Sequence, residues 1–153
     1  MSSLIDFLLV FTHLAGAIVW LGGMVFAHFA LRPAATQVLE PPQRLPLMAQ
    51  ALGRFFRMVA VAVVALVASG VWLLLQVGMG QAPMGWHLML AIGLLMAVIF
   101  SFIYGGLYRA LCRAVDARQW PAAAAVLNRI RVLVLVNMTL GFLAVAAAVS
   151  ARA

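Results

Sequence analysis

The sequence predicts an all-α fold, an integral membrane four-helix bundle with both termini outside. Three observations predict it. Of 153 residues, 67% are apolar and only 8% are charged. A soluble domain carries about 25% charged residues, so this chain could not cover a water-facing surface. Four apolar runs stand out: Phe7–Leu31, Met58–Leu75, Trp86–Tyr108 and Val132–Ala151. Each is near or above the roughly 20 helical residues that cross about 30 Å of hydrocarbon. Strand alternation is absent, which argues against a barrel. The helices are expected at about 4–31, 54–76, 84–112 and 124–150, within one transmembrane domain covering 1–153.

The first run has no formal charge. The preceding "MSSLID" holds Asp6 and no basic residue, the run is long for a signal core, and no cleavage pattern follows. It is therefore expected to stay in the mature protein. "LEPPQRLP" should break helicity at Pro41, Pro42 and Pro46. The next segment, "LMAQALGRFFRM", is amphipathic and should extend the second helix into the headgroup region. A short loop, Gln76–Gly85, leads to the third run. "WPAAAAVLNRIR" places Pro121 at a helix start, so helices 3 and 4 should project past the membrane on the inside. No internal repeat is evident.

Orientation follows from the arginines, which supply all ten basic residues. Arg32, Arg44, Arg54 and Arg57 fall between the first two runs, and Arg109, Arg113, Arg118, Arg129 and Arg131 between the last two. Arg152 is at the C-terminus, and the Gln76–Gly85 loop has none. The positive-inside rule puts both arginine-rich loops in the cytoplasm. The net charge of +7 reads as a topology signal and as contact with anionic lipid in the bilayer. Nucleic acid is not an expected partner, because there is no basic soluble domain.

Several chemistries are excluded. Cys112 is the single cysteine, so there is no intrachain disulfide or cysteine-cluster metal site. Asp6, Glu40 and Asp116 are too dispersed for paired acid–base work. No nucleotide-binding glycine loop or serine triad is present.

The histidines remain. His13 lies about 9 Å below the outer start of helix 1, and His87 stands one residue into the third run, so both belong to the outer part of the membrane. His28 is about 22 Å further along helix 1 and cannot share a metal with His13; it reads as an interfacial residue near Arg32. Met79, Met84 and Met89 surround His87, and thioether with imidazole suits Cu(I). The site expected is His13, His87 and Met84 or Met89, with Met79 nearby. Methionines also serve plain apolar packing, and that reading stays open. The face His13, Gly16, Trp20, Gly23 repeats at helical spacing. It either admits a flat macrocycle or allows tight helix packing. Ser69, Ser101, Tyr104 and Asn137 are further buried polar candidates. Asn137 bonds another helix or orients His13. Asp6 stands two turns from His13, as a cation attractor or an interface marker.

"HLAGAIVWLGGMVFAHFALRPAA", "LEPPQRLPL", "GRFF", "WHLMLAIGLLM" and "LNRIRVLVLVNMTLGFLAV" resemble the short members of the bacterial CopD copper-resistance family. The resemblance covers nearly the whole chain. It implies a multi-pass inner-membrane protein that binds or moves copper at the periplasmic side, with a periplasmic copper protein as a partner. The fused members of that family carry further helices that this chain lacks. His13, Trp20 and Gly23 are also similar to the first helix of HemJ-type protoporphyrinogen oxidases, which implies haem b with His13 as an axial ligand. That family has a Lys shortly after the Trp of its third helix, whereas Trp86 here is followed by "HLML" and the chain contains no Lys. His13 and His87 would then be the two axial nitrogens. A cofactor-free assembly subunit is the third class. Oligomeric state is left open.

Overall fold

Uninterrupted apolar sequence with no water to satisfy backbone groups leaves helix as the available structure, and four long helices result. The computed structural model describes residues 2–150; Arg152 lies outside them. The helices are α1 (Ser3–Val38), α2 (Pro41–Val77), α3 (Met84–Asp116) and α4 (Trp120–Ser150), of 36, 37, 33 and 31 residues. All four are long and apolar enough to cross a membrane. At 1.5 Å per residue they reach about 46–56 Å, well past the hydrocarbon core. No strand occurs among the described residues.

The expected proline break is narrower than the sequence suggested. Only Leu39 and Glu40 leave the helical conformation. Pro41 and Pro42 open α2, where their missing N–H groups would have had no intrahelical partner. Pro46 sits inside α2 and forfeits one bond, to the Pro42 carbonyl. Helix α1 likewise runs past Leu31 and through Pro33 to Val38. A π-helical turn at Ala27–Leu31 directly precedes that proline and takes up the mismatch. Two further π turns occur at Ile18–Gly22 and Ile103–Leu107.

The chain packs as two hairpins. Helix α1 lies mainly on α2, and α3 mainly on α4; α1 and α3 share no comparable seam and face each other across the interior. Glycines set the first seam. A Cβ at Gly16 would stand 2.9 Å from Leu66 Cγ, and one at Gly23 would run into the Phe55 ring. The α3–α4 turn places Arg118 at φ 55, an uncommon conformation for a residue with a side chain.

The half of the bundle nearer the arginine-rich loops has an aromatic core. Phe56 is buried between Phe100, Tyr104 and Tyr108, with ring centroids 5.8, 5.9 and 5.5 Å away, all edge-to-face. Trp20 meets Phe100 edge-on at 6.1 Å. Tyr108 donates to the Ala49 carbonyl at 3.3 Å and closes over Gly53. The outside is apolar, with Phe11, Ile18, Val64, Val98, Phe102 and Phe142 all exposed. In water that surface would aggregate; in a lipid bilayer it is solvated.

Candidate functional site

All four helices enclose a cavity of about 440 Å³ in the half of the bundle nearer the Gly78–Pro83 loop. Its wall includes His13 and Trp20 from α1, Gly70 from α2, Trp86, Met89, Gly93 and Met96 from α3, and Gly141 from α4. Small residues leave the space: a Cβ at Gly93 would meet nothing within 4 Å. Among the described residues, the wall carries no arginine and no carboxylate.

His13 is held by two groups of α2. Its Nδ1 lies 3.0 Å from Ser69 Oγ. The Ser69 hydroxyl has one proton, and it points to the Ala65 carbonyl 2.6 Å away. With that proton on the Ala65 carbonyl, Ser69 can accept from His13, an arrangement that suits an Nδ1-protonated imidazole with the lone pair on Nε2. The ring rests on Gly70, where an added Cβ would come within 3.0 Å of His13 Cε1. Sequence reading singled out Ser69 as buried but not as the partner of His13. The signal lay in the Ser69–Gly70 pair, a donor-holding hydroxyl next to a missing side chain, and it is legible only once α1 and α2 are known to be neighbours.

Asn137 takes the interhelical role. Its Nδ2 donates to the Met96 carbonyl on α3 at 3.2 Å. Its Oδ1 is buried without a partner. It stands one helical turn from Gly141, toward the arginine-rich end.

The other expected site residues divide between the cavity and its surroundings. Met89 is in the wall, and so, two turns deeper along α3, is buried Met96, which was not among the residues expected from sequence. His87 is not in the wall: it lies about 100° around α3 from Trp86, at the edge of the inward face. Its Nδ1 donates to the Pro83 carbonyl at 3.3 Å, in the first turn of α3. Met84 is 81% exposed and Met79 54% exposed, both toward the loop end. Gly16 and Gly23 pack against α2 and add nothing to the wall. His28 meets Phe29 edge-on at 4.8 Å in the second π turn, toward the opposite end. Ser101 is exposed and bonds the Ala97 carbonyl of its own helix. Asp6 accepts from the Gln76 amide at 3.3 Å, with that amide turned so that its oxygen accepts from Trp72 Nε1 at 2.9 Å. This ties the start of α1 to the end of α2, and Gln76 also lines the cavity.

No three His, Cys, Asp or Glu side chains come together among the described residues. The imidazole and thioether donors in the wall are His13, Met89 and, deeper in the bundle, Met96. Residues 49–151 match the family model described as CopD, copper resistance protein D. No curated protein and no solved structure matches the chain.

Proposed function

The chain belongs to the copper resistance protein D (CopD) family, and from that premise we propose that it takes copper, as Cu(I), into the cavity between its helices. One observation carries the proposal: His13, held at Nδ1 by Ser69, lines a wall that also holds the thioethers of Met89 and Met96. Imidazole and thioether are soft donors suited to Cu(I), whereas hard cations need carboxylate or carbonyl oxygen. The apolar wall selects in the same direction. The cost of moving an ion out of water grows with the square of its charge, so a monovalent ion enters far more readily than a divalent one.

Exposed Met79 and Met84, with His87 at the edge of the inward face, form the approach to this cavity. With the arginine-rich loops in the cytoplasm, that approach opens on the periplasmic side of the inner membrane. A periplasmic copper protein is the partner this arrangement suits, handing Cu(I) to the methionines and then to His13.

Haem b is the second reading, favoured by the volume of the cavity and by its two tryptophan walls. His13 would again supply the nitrogen. Among the described residues the wall offers no cation to the propionates. An absorption spectrum and a metal analysis of the protein purified in detergent test both. Copper near one equivalent without a Soret band supports the first reading, and a Soret band supports the second. Neither copper, after loading under reducing conditions, nor haem would leave a cofactor-free subunit.

A further inference from the structure

Helices α1 and α4 meet and then part. At Gly141 they are close: an added Cβ would stand 2.9 Å from Leu21 Cδ1. Toward the Gly78–Pro83 loop that contact ends. The stretch of α1 before its first π turn packs on α2 and forms no comparable seam with α3 or α4. Val10 and Leu14 on α1, and Val145 and Val149 on α4, line the cavity and are exposed as well. Leu14 is 56% exposed and Val149 63%. The cavity is therefore open sideways, between α1 and α4, onto the apolar surface that the bilayer solvates.

Such a space does not stay empty. The cost of a void rises with its volume, and about 440 Å³ is far above what close packing tolerates. Water is a poor filler, because each buried water needs several polar partners. The wall side chains with polar atoms, among the described residues, are His13, Gln76, Trp20 and Trp86. His13 Nδ1 is taken by Ser69, and the Gln76 amide by Asp6 and Trp72. A Cu(I) ion held by side chains would occupy a small part of the volume. Lipid hydrocarbon stands at the opening and is as apolar as the wall.

We propose that the cavity is a binding site for one acyl chain of a bilayer phospholipid, which enters between α1 and α4 and reaches Trp20. A methylene chain is narrow and flexible, and it leaves no polar group unpaired. Gly93 keeps its path clear, since even a Cβ there would meet nothing within 4 Å. The membrane supplies such chains in large excess, so occupancy needs little affinity. The headgroup stays outside, and the site reads hydrocarbon rather than charge. Binding of the acyl chain needs no metal.

Trp20 reports the occupant. It is 6% exposed and lines the cavity, so lipid on the outer surface does not cover it. The variant W72F/W86F/W120F keeps Trp20 as its single tryptophan. The test places this protein, free of metal, in vesicles of phosphatidylcholine with or without bromine at mid-chain, where bromine quenches indole emission on contact. The brominated lipid should remove most of the Trp20 emission. Adding Gly93→Leu, whose side chain takes up cavity volume, should restore it. The variant W20F/W86F/W120F, which keeps the exposed Trp72, should be quenched with or without Gly93→Leu. Trp20 emission unaffected by the brominated lipid would overturn the proposal, as would equal quenching before and after Gly93→Leu. Native mass spectrometry of the wild-type protein and of Gly93→Leu carries the test should the triple variants fold poorly. From a mild detergent, wild type should retain one phospholipid and Gly93→Leu should lose it; equal retention would overturn the proposal. A Soret band in the same preparations would give the space to a macrocycle and overturn it as well.

Discussion

His13 stands beside a hydroxyl that can commit its own proton to the Ala65 carbonyl, which favours Nε2 as the available ring nitrogen. Ser69→Ala removes the acceptor at 3.0 Å, so the Nδ1-protonated tautomer should no longer dominate. The ¹⁵N shifts of a His13-labelled protein report the tautomer directly, with or without metal. Ser69→Thr should restore the wild-type pattern. On the copper reading, His13→Ala should remove most bound copper, and Met89→Ala should weaken it by about tenfold to a hundredfold, the usual scale for a ligand or its close support. His28→Ala should leave copper content unchanged, because His28 meets Phe29 edge-on far along the axis. His87→Ala, outside the wall, should slow loading more than it lowers final stoichiometry. Copper per chain, measured at equilibrium and over time on these variants, checks all four expectations. Full copper in His13→Ala would remove the central residue of the proposed site.

At the scale of single helices, the glycines sort by what stands opposite them. Gly23 faces the Phe55 ring, and a methyl there has no room. Gly23→Ala should therefore destabilise the α1–α2 seam by about 1–3 kcal/mol, the usual cost of overpacking, read as a lowered thermal midpoint in detergent. Gly93 faces open space inside the cavity. Gly93→Leu should leave the midpoint near that of wild type while filling volume that a bound group would need. Loss of a Soret signal in that variant with copper retained, or the reverse, would show which occupant uses the space. The π turns also matter here. One absorbs Pro33, and another carries Trp20 into the cavity wall. Helix existence and type were legible because each run is long and apolar throughout. The helix ends were not, because a proline stops a helix only where a backbone N–H was needed and no π turn adjusts the register.

For the whole molecule, the charge distribution predicts orientation. Nine of the ten arginines lie between the first and second runs or between the third and fourth. Fusions of a periplasm-active and a cytoplasm-active reporter to the C-terminus should give signal from the periplasm-active one. Activity confined to the cytoplasmic reporter would invert the bundle and place the cavity on the other side. The same separation explains how the two halves differ. One holds an aromatic core, and the other holds a cavity lined by histidine, methionine and glycine.

Sequence by itself determined the solvent, the number of helices and which of their ends carry the positive charge. Each follows from transfer free energy summed along a run, which depends on composition and hardly on neighbours. It also brought His13 forward, since an imidazole in an apolar run demands a partner. Only the tertiary structure decided what that partner is. Ser69 lies 56 residues away, and no periodicity links two helices that meet by packing. The same holds for Met96 joining the cavity wall, for His87 falling at its edge, and for Asn137 bonding α3 rather than reaching His13. Those outcomes depend on rotation of each helix about its own axis. That rotation is set by which glycines admit which side chains across a seam, a pairwise fit that a one-dimensional pattern does not contain.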